Sequence, residues 1–155
     1  MKKAIVVFVG GIMMVACSNS TPVDNSPKIG ELFSEGGSYK MIVEAKDGVD
    51  STRQVEFSIP ANIVDSLKLS GPTLSNMCSQ AALYADFYVN NERTFRFGTD
   101  KNLVYLNDDG GITAAVSGIA ANAYGVEGNI NTVIEFDLKG NMLKDSDGIP
   151  VIMSF

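Results

Sequence analysis

The chain has 155 residues, 12 Lys and Arg against 18 Asp and Glu, a net charge of −6 and an apolar fraction of 45%, enough for one well-filled core. Histidine is absent and cysteine occurs twice, which removes the Ser-His-Asp triad and the commonest zinc ligand and leaves too few thiolates for a metal cluster. The acidic balance, with no adjacent basic pair beyond Lys2-Lys3, opposes binding to nucleic-acid phosphates.

The chain opens with Lys2 and Lys3, an uncharged apolar stretch from Ala4 to Ile12, and Val15-Ala16 before Cys17. That is the three-part layout of a secretory signal, and it is short of the roughly 20 residues of a membrane span. Met14-Val15-Ala16-Cys17 resembles the lipobox of bacterial lipoprotein precursors, with Met where Leu is usual. The resemblance implies a signal peptide over 1–16 and lipidation at Cys17. It also implies attachment to the membrane by acyl chains, each buried CH₂ contributing about 0.8 kcal/mol. Ser18 after the cysteine fits delivery to the outer membrane, with the protein facing the periplasm.

Residues 18–30, SNSTPVDNSPKIG, are rich in Ser, Asn and Pro and read as a flexible tether. The expected division is signal peptide 1–16, lipidated cysteine and tether 17–35, and one globular domain 36–155. In SYKMIVEA, Tyr39, Met41, Val43 and Ala45 share a face. In RQVEFSI, Val55, Phe57 and Ile59 point in while Gln54, Glu56 and Ser58 point out. The polar KDGVDST between them makes the pair a hairpin. Pro60 suits the start of a short helix carrying Ile63, Val64 and Leu67. SGPT at 70–73 reads as a break, and a helix follows in which Leu74, Met77, Cys78, Ala81, Ala82 and Ala85 form one stripe. Cys78 in mid-stripe reads as a small buried apolar residue.

Residues 86–111 read as three short strands with turns near Asn90-Asn91 and Gly98 to Asn102. Residues 112–126, ITAAVSGIAANAYGV, carry no charge. A helix and a pair of strands are both open there, and the alanine content favours the helix. A strong strand follows with Ile130, Thr132, Ile134, Phe136 and Leu138 on one face, then a turn at 139–141 and one or two closing strands. The expected fold class is α+β, a mainly antiparallel sheet with one or two helices packed on one face. Asp108-Asp109 and the DSDG of 145–148 lack the acidic spacing of an EF-hand and read as hairpin turns.

The hairpin, the Pro-led stretch, the helix carrying Met77-Cys78 and DFYVNNERTFRF together resemble the pilotin lipoproteins of type II secretion over about residues 37–106. The resemblance implies binding to a secretin subunit. The chain departs from the family in lacking a second cysteine after the strands, and the region from Gly110 onward is unmatched. The expected function is a non-enzymatic envelope lipoprotein that binds another envelope protein, with no cofactor, no metal and no nucleic acid. The alternatives are an inhibitor or exclusion lipoprotein acting on a lysozyme, receptor or phage, and a surface hydrolase built on carboxylates. Tyr88, Asn90, Asn91 and Arg93 are the expected binding residues, because Tyr and Arg are common interface anchors. Replacing Cys17 with Ser is expected to abolish palmitate labelling of the protein in cells; equal labelling of variant and wild type would overturn the lipoprotein reading.

Overall fold

In a computed structural model, residues 26–89 and 91–155 are described. Cys17, the lipobox and Asn90 lie outside the described residues. The alternation at 38–45 and 53–59 produces the expected hairpin. β2 (Ser38–Lys46) pairs antiparallel with β3 (Thr52–Ile59), placing Met41 opposite Phe57 and Val43 opposite Val55. Met41, Val43, Val55, Phe57 and Ile59 are buried, whereas Gln54 and Glu56 face solvent. β1 (Leu32–Glu35) joins the other edge of β2. It falls within 17–35, so the sheet takes in four residues of the stretch expected as tether.

The SGPT segment starts a helix as well as breaking the chain. The Ser70 hydroxyl accepts the Thr73 N–H at 3.2 Å and Pro72 occupies the first turn of α1 (Gly71–Leu83). Leu74, Met77, Cys78, Ala81 and Ala82 are buried along one side, with Ala85 continuing the stripe beyond the helix. Burial pushes the Cys78 thiol far above its ordinary pKa, so it stays protonated and packs as an apolar residue. The Pro60-led stretch forms a five-residue π-type helix, Asn62–Ser66, that fully buries Ile63. Among the described residues α1 is the one α-helix, and no helix is long and apolar enough to cross a membrane.

Two of the expected strands in 86–111 form and the first does not. Residues 84–89 run on from α1 as turns: Tyr84 N–H reaches the Gln80 carbonyl, Phe87 N–H that of Tyr84, and Val89 N–H that of Asp86. The Thr132 hydroxyl, fully buried in the sheet, donates to the Ala85 carbonyl at 2.7 Å and fixes where this run begins. β4 (Arg96–Phe97) and β5 (Asn102–Leu106) both lie along one edge of β6 (Ile112–Ala121), with Phe97 opposite Gly118 and Val104 opposite Ala114. They amount to one strand interrupted by an excursion at 98–101.

Residues 112–121 are a central strand, correcting the helical expectation. β7 (Glu127–Phe136) covers the whole of β6's other edge. The β-branched Ile112, Thr113, Val116 and Ile119 suit that setting. A turn at each end, Asn107 to Gly111 and Asn122 to Val126, fixes the strand's length. The same turn recurs at Asp137 to Asn141 and Asp145 to Ile149. In each, an Asp or Asn N–H reaches the carbonyl four residues on, and a glycine three residues on has φ between +78° and +88°, a conformation that favours glycine. Leu138, expected on the inner face of β7, sits in the third of these turns and is half exposed. β8 (Ile152–Ser154) closes the sheet on β7.

Among the described residues the result is an eight-stranded sheet in the order β1-β2-β3-β5-β6-β7-β8, with β4 also on β6. These strands all pair antiparallel except β3 with β5, which meet in parallel over two residue pairs. α1 touches β1 and β2 toward one side of the sheet and β6 and β7 toward the other. The stripe of α1 and Phe57, Phe95, Phe97, Ile134 and Phe136 form one continuous core.

Gly118 makes room for that core. A Cβ there would lie 2.2 Å from the Phe95 ring. Gly118→Ala is expected to lower stability by about 1–3 kcal/mol through overpacking. Gly128→Ala, where nothing lies within 4 Å, should change it by less than about 0.5 kcal/mol. Urea titration of both variants checks the contrast.

Candidate functional site

Where α1 gives way to turns, a groove of about 330 Å³ opens between Tyr88 and Val89, the end of β6, the Asn122 to Val126 turn, the start of β7, and Phe155. Three of its side chains are large and exposed: Tyr88 at 52%, Val126 at 64% and Phe155 at 72%. Tyr88 is held by Phe87, whose ring meets it edge-on at 4.9 Å, and Phe87 packs in turn on Tyr84 at 5.8 Å. The Asn122 carboxamide oxygen accepts the N–H groups of Tyr124 and Val126 at 2.9 and 3.1 Å, which sets the turn that presents Val126. The Thr94 hydroxyl accepts the Ala121 N–H and donates to the Asn91 carbonyl, tying the short helical turn Glu92–Thr94 to the end of β6.

The groove includes one of the residues expected for binding. Tyr88 lines it, presented by a turn rather than by the first of the three strands expected over 86–111. Asn91 and Arg93 are exposed on the adjacent helical turn and do not line it. Asn90 lies outside the described residues. Sequence reasoning misses Val126 and Phe155. Their apolar side chains follow ordinary strand and turn patterns, and nothing local marks them as converging on Tyr88.

Two other surfaces compete. On the face of the sheet away from α1, a groove of about 470 Å³ is lined by the β1–β2 turn, β2, β3 and residues 97–102. Lys40 there bonds both Glu35 and Glu56. Its ammonium holds the Glu35 carboxyl below the usual range. A carboxylate pair doing glycoside hydrolysis needs one member kept protonated, and Lys40 works against that at Glu35. Further along the same face Leu103, Ala115, Val133 and Met153 line up across four strands, with Leu103 and Met153 partly exposed.

The two acidic stretches weighed for calcium are turns. Asp145 Oδ1 accepts the N–H groups of Asp147 and Ile149, each at 2.9 Å, and Asp109 Oδ1 accepts that of Gly111. Among the described residues no group of three or more acidic or cysteine side chains gathers where a metal could sit.

No family model matches the chain, and neither a curated protein nor a solved structure matches it.

Asp86, two residues before Tyr88, is half-buried. Burial raises its pKa, Glu92 adds to the rise and Lys46 opposes it. An acid whose folded pKa lies above its unfolded value favours folding at low pH. That benefit is lost as pH rises through the folded pKa. Asp86→Asn is therefore expected to raise the melting temperature relative to wild type at pH 7. The gain should vanish near pH 3, below the ordinary Asp value of about 3.9. Thermal melts of both proteins at the two pH values give the comparison.

Proposed function

We propose that the chain is a lipid-anchored, non-enzymatic binding module of the cell envelope, and that the groove beside Tyr88 takes up another envelope protein. The observation that carries this reading is the convergence of Tyr88, Val126 and Phe155, from three separate parts of the chain, on one open groove. Exposed large apolar groups that cluster mark interaction surfaces more often than scattered ones do, and tyrosine is a frequent anchor. The lipobox and tether would hold such a surface near the membrane while leaving it free to turn. Assistance to a secretin, as the pilotin resemblance implies, is one form of this function. The order of hairpin, helix and strands supports it; the turn at 84–89 in place of a strand counts against it.

A photo-crosslinking amino acid placed at Tyr88 in the full-length protein in cells is expected to join it to one envelope protein. The same group at Glu44, exposed on β2 away from the groove, should give no such adduct. With the partner identified, Tyr88→Ala should weaken binding by about tenfold or more, the scale of an anchor side chain. Absence of an adduct, or equal adducts from both positions, would overturn the proposal.

A further inference from the structure

The strand that forms one wall of the groove is only half covered. β8 pairs with β7 from Thr132 to Ile134, and next to it Asn131 exchanges both backbone hydrogen bonds with Phe155, at 2.8 and 3.0 Å. In an antiparallel ladder, residues two apart direct their N–H and C=O to the same side. Asn129 and Glu127 therefore aim theirs at the edge that Asn131 uses. Gly128 and Ile130 point the other way, toward Ala120 and Gly118 of β6. Among the described residues no strand pairs with that edge over 127–130. Two donors and two acceptors stand in a row there, and the groove runs beside them.

We propose that this half-edge of β7 receives an extended peptide segment of the partner protein, which adds to the sheet as a strand beside 127–130, with alternate side chains in the groove. The inference rests on the binding function proposed above and names the form of its ligand. Strand addition draws affinity from main-chain hydrogen bonds and specificity from pockets for alternate side chains. Tyr88 and Phe155 flank the place where those side chains would fall. The edge also lacks the usual guards. Natural edges are blunted by lysine, proline or bulges, whereas Glu127-Gly-Asn-Ile130 has none of these, and its one charge is paired with Arg96. The edge is set back by one strand's width, about 4.8 Å, behind β8. That recess admits a single extended chain more readily than the flat edge of a second sheet.

Asn129 supplies a selective test. Its N–H makes no ladder bond to β6, so Asn129→Pro removes an outward donor without breaking the existing sheet, as proline on an exposed edge does. Peptides would be selected from a random twelve-residue display library against the full-length protein. The expected result is binding by wild type, and binding at least tenfold weaker with Asn129→Pro than with Asn129→Ala, which loses the same side chain but keeps the N–H. Amide exchange in the wild type gives a second readout that does not depend on any variant's folding: the Glu127 and Asn129 amides should exchange fast when free and become protected by the selected peptide. Failure to select any binder, equal binding by Asn129→Pro, or no protection at these two amides would overturn strand addition. Protection that rises with protein concentration alone would overturn it too, by assigning the edge to a second copy of the chain. A Tyr88 adduct alongside any of these would leave the binding function standing and remove only this inference.

Discussion

The sheet depends on the side chain of Asn102. The β1–β3 unit and the β5–β8 meander meet in parallel over only two residue pairs, Phe57 with Asn102 and Ser58 with Leu103. Beyond them the excursion at 98–101 takes the backbone away. The buried Asn102 carboxamide fills the gap. Its NH₂ donates to the Glu56 carbonyl of β3 at 3.0 Å and its oxygen accepts the Ser117 N–H of β6 at 3.1 Å. One amide thus satisfies a strand on either side, as buried backbone groups require. Further up, the Arg53 guanidinium donates to the Phe97 carbonyl and Asp47 accepts the Phe97 N–H. Side chains replace the ladder where it is absent, and the eight strands remain one sheet.

How legible a segment is follows from how unevenly its faces are buried. β2, β3 and α1 each have one face in the core and one in water, and their patterns read directly. β6 has partners along both edges, and most of its residues are buried or half-buried on both faces, so no alternation is left to read. Its alanines then suggest a helix. The signal that marks a strand is the spacing of its turns: Asn107, Asn122 and Asp137, each followed by glycine three residues later. The run after α1 misleads for a different reason. Asp86 to Val89 has the apolar pattern of a short strand, but the Thr132 hydroxyl captures the Ala85 carbonyl and holds the chain in turns.

The groove is legible in one residue. Tyr88 stands out as an aromatic next to a polar turn. Val126, Phe155 and the half-covered edge of β7 follow from pairing lengths, ten residues for β7 and three for β8. Those lengths are decided by which strands meet, a tertiary matter that no local pattern carries. The polar groove shows the converse. Glu35, Lys40 and Glu56 look ordinary in sequence, and in the fold one ammonium bridges the two carboxylates.

The parallel joint has an entropic consequence. The meander brings together residues close in the chain, with one tight turn between β5 and β6, one between β6 and β7, and two over 137–151 before β8, so little chain freedom is lost for each pairing that forms. Phe57 and Asn102 must instead close a loop that contains all of α1. The cost of such a loop grows only slowly with its length, yet two residue pairs and one carboxamide are a small return for it. α1 supplies the rest, because the segment that lengthens the loop also binds β2 at one side and β6 and β7 at the other. The connection that makes the joint expensive is the same one that holds it shut.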